Sequence, residues 1–355
     1  MQSFLQQWRD NGEKWDEWLF EIVKARRSFA KLIGAELQEI ACIPNVTSAL
    51  AAIATAIKGP RQRNVILSEL NFPTNVYMWH SMRRKGLISE VRVLKAKSGY
   101  VPLSDFEKAI DDTTAAVSID YISWINGSRE NIAEITKMAH EHGALMLVDA
   151  FHAVGAIPVD VRKLGVDVLT CGTYKWLMGP HGAAFLYVNQ ETLEKLEPAI
   201  VGWHGIADSV IARATHKEDV FGKPFDLTDV EPADDATRFE WGTWAVVSVI
   251  GSNEAMQFAL KYSPAEREPL IQKLISRLIE GLEGRGWKIT SPLDRDRRSG
   301  IVTFEVPHAA KVAGMLLSQG VVVAPRVNTL RVSPHFFNTE NEIDSLLEKL
   351  GAGRL

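Results

Sequence analysis

The stretch ALMLVDAFHAVGAIPVDVRKLGVDVLTCGTYKW, residues 144–176, decides how the chain is read. ALMLVD (144–149) and VDVLT (166–170) are apolar runs of strand length, joined by a connection that carries Gly155, Pro158 and Gly165. A carboxylate, Asp149, ends the first run. A lysine, Lys175, follows the second, with His152 and Tyr174 close beside the two. Further runs of the same kind are NVILS (64–68), EVRVL (90–94), AAVSI (115–119) and AAFLYV (183–188). Helical patterns over 47–57, 74–84, 103–110 and 131–142 lie between most of them. Strands alternating with helices predict an α/β fold, a mostly parallel sheet flanked by helices on both faces. Ligands bind beyond the carboxyl ends of strands in such sheets. Asp149, Tyr174 and Lys175 are expected at or just past such ends.

Working outward, the first ~35 residues read as helical. Trp8, Trp15, Trp18, Leu19, Ile22 and Val23 recur at helical spacing, and Gly34 is the expected stop. This stripe is read as core or subunit interface. Beyond Val188 the texture changes: residues 190–235 are mixed and rich in loop formers. Helices are expected from about Ala245 to Lys261 and from Ala265 to Glu283. WKIT, GIVTFEV, a helix over Ala309–Ser318, VVVA, TLRVS and a last helix follow. Thr339 and Glu342 form a capping box at the start of that helix. The expected organisation is an N-terminal helical segment (1–40), a large domain (41–261) and a smaller C-terminal α/β domain (262–355).

The chain has 355 residues, 46% hydrophobic and 24% charged, within the ordinary range of globular proteins. Its 40 basic and 44 acidic residues leave a net charge of −4, so nothing electrostatic points to nucleic acid as a partner. Two cysteines, Cys42 and Cys171, make neither a disulfide scaffold nor a Cys-rich metal site. A reducing compartment, the cytoplasm, is the default. No apolar run reaches ~18 residues, so no membrane span is expected. His140 and His142 are two apart near a helix end and do not face one way, which argues against a metal pair.

The chemistry follows from the charges. Taken singly, Lys175 snorkelling to water and Asp149 capping a helix are the ordinary readings. Together they suggest more. A lysine at a strand end among Leu169, Trp176 and Leu177 is desolvated, which lowers its pKa and frees a nucleophilic amine. Lysine amines form Schiff bases with carbonyls. Pyridoxal phosphate needs such a lysine, an acid facing its ring nitrogen, and donors for its phosphate. Asp149, ending a different strand, is a source of the acid.

VDAFHAVGAIPVDVRKLGVDVLTCGTYKW resembles the signature of the class V aminotransferases, pyridoxal-phosphate enzymes of fold type I. Kynureninases, cysteine desulfurases, isopenicillin-N-epimerase-like proteins and several carbon–sulfur lyases belong to that group. The resemblance runs from about Phe4 to Leu350. It implies the fold-type I transferase architecture, with Lys175 as the internal-aldimine lysine and Asp149 on the ring nitrogen. His152 falls where the family places a Gln or His on the cofactor's phenolic oxygen. Tyr174 matches a kynureninase-like tyrosine on the phosphate, where other branches have histidine.

The resemblance extends to other segments. NVTSALAAIATAI opens a helix at Asn45, and a helix N-terminus suits a phosphate. The family has its phosphate cup there, which implies Val46 and Thr47. In SELNFPTNVYMW the likeness puts Phe72 on the face of the pyridine ring, where desulfurases usually have histidine. In RFEWGTW, Gly242 and Thr243 match a segment that reaches the phosphate of the neighbouring subunit, so a homodimer with shared sites is implied. In TLRVSPHFF, Arg331 matches the clamp for the substrate α-carboxylate, since a guanidinium forks onto a carboxylate bidentately. Arg326 is a second candidate for an acidic substrate group. Ser123 takes the place of a polar group near the cofactor, with Trp124 and Asn126 as candidate lining residues.

Two features depart from the family pattern. The chain passes almost directly from Met1 into FLQQWRDNGEKWDEW, without the YLNNAS-type segment that many members carry. The resemblance therefore implies the cofactor side of the site more fully than the substrate side. No cysteine occurs between 172 and 355, which argues against a desulfurase working through a protein persulfide. The expected function is a pyridoxal-phosphate enzyme acting on a small amino acid, first as a lyase or aminotransferase. A kynureninase-type hydrolase or an amino-acid epimerase comes next. An inert cofactor-binding scaffold is the alternative of another class, and the retention of Lys175, Asp149, His152 and Arg331 speaks against it.

Overall fold

The computed structural model describes residues 2–59, 63–215, 222, 224, 226–228 and 230–351. Part of the loop-rich stretch after residue 190 thus lies outside the described residues. Two helices open the chain, α1 (Gln2–Asn11) and α2 (Trp15–Ile33). Gly34 ends α2 in the left-handed region at φ 71°, the conformation that made glycine the expected stop.

A seven-stranded sheet follows. Its strands are β1 (Ile40–Ile43), β2 (Asn64–Ser68), β3 (Glu90–Leu94), β4 (Thr114–Asp120), β5 (Leu145–Asp149), β6 (Val168–Gly172) and β7 (Ala184–Val188), in the order β1-β7-β6-β5-β4-β2-β3. β3, β2, β4, β5 and β6 are parallel, whereas β7 runs antiparallel to both β6 and β1. The helices between them are α3 (Val46–Ala56), α4 (Pro73–Arg84), α5 (Leu103–Ala109), α6 (Ile132–Glu141) and the single turn α7 (Val161–Leu164).

Alternating strand residues feed two cores, as the period-2 pleat requires. Ile66, Val117, Ile119, Met146, Val148, Leu169 and Phe185 face one side, with Phe29 from α2 and Ile135 from α6. Val65, Leu67, Ala116, Leu145, Leu147, Val168 and Leu186 face the other, with Leu50 and Ile53 from α3 and Trp79 from α4. Both faces are covered, which is why the strands read as continuous apolar runs.

The remaining elements are α8 (Gln190–Leu193), α9 (Val210–Thr215), α10 (Val246–Lys261), α11 (Pro264–Glu283), β8 (Val302–Glu305), α12 (Ala309–Ser318), β9 (Ala324–Arg326), β10 (Thr329–Val332) and α13 (Glu340–Leu350). β8, β10 and β9 form a second, antiparallel sheet in that order. The Thr339–Glu342 capping box at the start of α13 forms in both directions. Two expectations shift here. WKIT contributes only an isolated bridge, Ile289 to Phe304, and of VVVA only Ala324 enters a strand. The first apolar core is continuous from the large sheet through Trp176, Ile271 and Ile301 to Phe304 and Leu330 of the small one.

Candidate active site

Beyond the carboxyl ends of β4, β5 and β6 lies a cavity of about 300 Å³. Val46, Thr47, Phe72, Asp149, His152, Tyr174 and Lys175 all line it, together with Asp120, Phe151 and His181. Residues from six separate segments therefore meet where a parallel sheet opens.

Asp149 is the last residue of β5 and is buried, at 6% exposure. Its Oδ1 accepts the Phe151 N–H at 3.0 Å. Burial pushes the carboxyl up to about 6, against the Phe151 amide and the Lys175 charge, which lower it. His152 follows in the turn. Its Nδ1 accepts Trp176 Nε1–H at 3.3 Å, and its Nε2 lies 2.9 Å from Lys175 Nζ. Burial and then the positive charges of Lys175, Arg331 and Arg326 hold the imidazole well below its ordinary range.

Lys175 stands three residues past β6, in a turn closed by Gly179 N–H on Thr173 O at 2.8 Å. Burial is the largest influence on its amine and lowers its pKa from 10.5; Asp149 opposes that shift. Nζ lies 4.1 Å from the centre of the Phe151 ring and 5.8 Å from that of Phe72. Gly172 is required beneath it, because a Cβ there would come within 2.3 Å of the Phe151 ring. Tyr174, 42% exposed, stacks on His181 with ring centres 4.0 Å apart.

The N-terminus of α3 supplies the opposite wall. Asn45 caps it, its side chain accepting from Ser48 N–H at 2.9 Å, and the Val46 and Thr47 amides precede the first intrahelical bonds. Phe72, 41% exposed, precedes α4 and meets Trp124 edge-on at 5.4 Å.

Other expected residues lie outside the cavity lining. Arg331, on β10, is half-buried and donates from Nη1 to Trp124 O at 2.8 Å. Burial, then the neighbouring Arg326, lowers its guanidinium to about 10, so it stays charged at neutral pH. The Arg326 guanidinium lies 5.4 Å from the centre of the Trp124 ring. The Nε atoms of both arginines are buried without a hydrogen-bond partner. Ser123 is buried and its hydroxyl is engaged by the loop, donating to Leu70 O at 3.2 Å and accepting from Ile125 N–H at 3.1 Å. Asn126 Nδ2 donates to Gly99 O at 2.7 Å, away from the cavity. Gly242 and Thr243 lie exposed in the irregular segment before α10. His140 and His142 bind separate partners, Asp167 and Asp112.

Asp120, Phe151 and His181 escaped the sequence reading. Asp120 carried a signal: it ends the AAVSID run as Asp149 ends LMLVD.

The donor set suits pyridoxal phosphate. A helix N-terminus with free amides would suit the phosphate, a buried carboxylate with one oxygen uncommitted would suit the ring nitrogen, and a desolvated amine would suit the aldehyde. An exposed aromatic at the mouth, Phe72, offers a stacking face.

The sequence profile of the family described as Aminotransferase class-V matches residues 10–346. A Bacillus subtilis (strain 168) protein named Uncharacterized aminotransferase YcbU is 28% identical over 341 residues, covering 96% of this chain and 86% of its own. A Deinococcus radiodurans kynureninase is 28% identical over 329 residues, with coverages of 90% and 74%. Among solved structures, the cystine C–S lyase C-DES superposes with a TM-score of 0.87 at 20% identity, covering 98% of this chain and 92% of its own. The apo cysteine desulfurase of Thermococcus onnurineus NA1 superposes with a TM-score of 0.83 at 24% identity, with coverages of 93% and 83%. At those identities the superpositions speak for the fold. The profile match over nearly the whole chain speaks for the family: this protein belongs to the class V aminotransferases and is a pyridoxal-phosphate-dependent enzyme of fold type I.

Proposed function

We propose that the protein acts on a small α-amino acid, as a lyase removing a β-substituent or as an aminotransferase. The observation that carries this reading is Lys175, a desolvated amine set between His152 and Phe151 and near Asp149. A cavity of about 300 Å³ is at the small end for ligand sites, which favours a small substrate. When bound, pyridoxal phosphate supplies the sink for electrons released at the substrate's α-carbon.

The chain's own residues do the rest. Lys175 would hold the cofactor's aldehyde, and its amine would carry the α-proton. Asp149 keeps a proton on the ring nitrogen by placing its negative charge there. His152 meets the ring oxygen. The Val46 and Thr47 amides and Tyr174 hold the phosphate, with the dipole of α3 behind them. Phe72 covers the ring face. Arg331 grips the α-carboxylate, Arg326 takes a second acidic group, and Ser123 fixes the loop that presents Trp124.

Gly242 and Thr243, exposed in one copy, reach the phosphate held by another, so the working form is a homodimer with shared sites. The chain divides into a helical segment (1–40), a cofactor domain (41–261) and a small domain (262–355). Its buried, unbridged thiols suit the cytoplasm, and among the described residues no helix is long and apolar enough to cross a membrane. Phe72 and Tyr174, both aromatic, keep a kynureninase-type hydrolase as the second reading.

The purified protein is expected to show a visible absorption band that Lys175→Ala abolishes; a colourless wild type after reconstitution would sink the assignment. A screen of amino acids, including cysteine conjugates and kynurenine, distinguishes the reactions by separate detection of keto acid, ammonia, sulfide and anthranilate. Ammonia without an added keto acid identifies a lyase. Dependence on a keto-acid acceptor identifies an aminotransferase. Anthranilate identifies the hydrolase. A coloured protein that turns over nothing is the inert scaffold.

A further inference from the structure

β4 and the loop after it hold the segment that carries Phe72. Asn71 Nδ2 donates to Ser118 O at 2.7 Å, Ser118 Oγ donates to Asn75 Oδ1 at 2.8 Å, and Trp124 Nε1 donates to Asn71 O at 3.0 Å. The Phe72 N–H itself donates to Asp120 Oδ2 at 2.7 Å. Asp120 is the one carboxyl in this set. It is 6% exposed and lines the cavity, and its Oδ1 is buried without a hydrogen-bond partner.

The parallel register sets Asp120 directly beside Asp149. In-register residues of neighbouring parallel strands share a face, with strands about 4.8 Å apart. The two carboxyls are held alike, each with one oxygen on the amide of an aromatic residue that frames the cavity: Phe72 for Asp120, Phe151 for Asp149. Two buried carboxyls so placed do not both ionise readily. Asp149 from β5, Lys175 from the turn after β6 and Glu130 from the segment before α6 are the charged groups acting on Asp120. Burial, then Asp149, raises its carboxyl well above the ordinary range; the Phe72 amide and Lys175 oppose this.

We propose that Asp120 is a positioning residue of this site: it pins the Phe72 main chain and shares one proton with Asp149, so that the two carboxyls present a single negative charge. The consequence for the cofactor rests on the function proposed above. The shared proton is a property of the chain itself. One negative charge balances one protonated ring nitrogen, and a neutral Asp120 leaves that charge on Asp149. The same residue fixes where the Phe72 ring stands.

Asp120→Asn keeps an acceptor for the Phe72 N–H and cannot ionise, whereas Asp120→Ala removes the acceptor. The full-length protein and both variants are unfolded thermally between pH 5 and pH 8.5, with and without pyridoxal phosphate. A carboxyl whose pKa is raised by folding adds stability below its unfolded pKa, and that stability is lost as pH rises through the folded value. Wild type is therefore expected to lose Tm against Asp120→Asn as pH rises. Parallel Tm–pH curves overturn the shared proton. Cofactor affinity, read by tryptophan quenching and the visible band, is expected to stay within about threefold in Asp120→Asn and to weaken about tenfold in Asp120→Ala, which leaves the Phe72 amide unsatisfied. Unchanged affinity in Asp120→Ala overturns the pin, and so does Asp120→Asn binding as weakly as Asp120→Ala. If Asp120→Ala does not fold, Asp120→Asn decides through both readouts. A wild type that binds no pyridoxal phosphate refutes the cofactor roles instead, and the Tm comparison still decides the shared proton.

Discussion

His152 Nε2 stands 2.9 Å from Lys175 Nζ, and the relationship fixes which of the two carries the proton between them. Trp176 Nε1–H donates to His152 Nδ1, so the neutral imidazole bears its hydrogen on Nε2. That hydrogen points at Lys175, and an ammonium there would oppose donor to donor. The geometry calls for a free lysine amine, in line with the desolvation that lowers Lys175.

Covalent capture of pyridoxal phosphate by the cofactor-free protein should therefore be fast near neutrality. Its rate is expected to rise with pH and level off below 10.5, because only the neutral amine attacks. Stopped-flow absorbance across pH 6–10 measures it. A rate that climbs about tenfold per pH unit throughout, as for an ordinary lysine, would contradict the free amine.

Asp149 sets the acid limb. Its carboxyl, raised to about 6, is ionised above that pH and protonated below it. Turnover is expected to fall as pH drops through about 6, with the loss of the charge proposed to face the ring nitrogen. Asp149→Asn should reduce kcat about 10²–10³-fold, the size expected when one preorganised electrostatic group is removed. A kcat within a few-fold of wild type would assign the ring nitrogen to another residue.

Arg331 tests the substrate end. Its Nη1 is committed to Trp124 O, and its Nε is unpartnered. Arg331→Lys keeps the charge but loses the planar fork. KM for the amino acid is expected to rise about tenfold or more, while cofactor binding and the visible band stay put. Equal KM values in steady-state kinetics would move carboxylate binding elsewhere.

Glu240 tests stability apart from catalysis. It is buried, its Oε1 accepts Cys42 N–H at 2.6 Å, its Oε2 has no partner, and Arg26 is 3.9 Å away. Burial raises it from 4.5 to about 7, so the folded state holds this proton more tightly than the unfolded one. Its contribution is present below pH 4.5 and lost as pH rises through about 7. Glu240→Gln is expected to gain about 1–3 kcal/mol over wild type at pH 8.5 and little at pH 5. Denaturant unfolding at the two pH values checks this; an equal effect at both would show that titration is not the cause.

Much of the architecture was readable because its signals are local. Apolar runs of five or six residues between helical patterns are written in consecutive positions, and β2 to β7 fall within two residues of where those runs lie. Gly34 and the Thr339–Glu342 box marked helix ends for the same reason. IACI (40–43) was too short to stand out, and it becomes a strand only by pairing with β7. WKIT looked like a strand but its neighbours give it only one bridge.

The sequence by itself determined the α/β class and, through a resemblance carried by one stretch, the family, and it singled out Asp149, His152 and Lys175 as candidates for the cofactor site. The tertiary structure decided what distance along the chain does not contain. It turned β7 antiparallel, tied Ser123 into the Leu70 loop, and set Arg331 on Trp124. It also brought Asp120 beside Asp149 from 29 residues away through the β4–β5 register. Strand register is fixed by burying whole faces at once, so the neighbours of a carboxylate emerge only when the sheet is assembled.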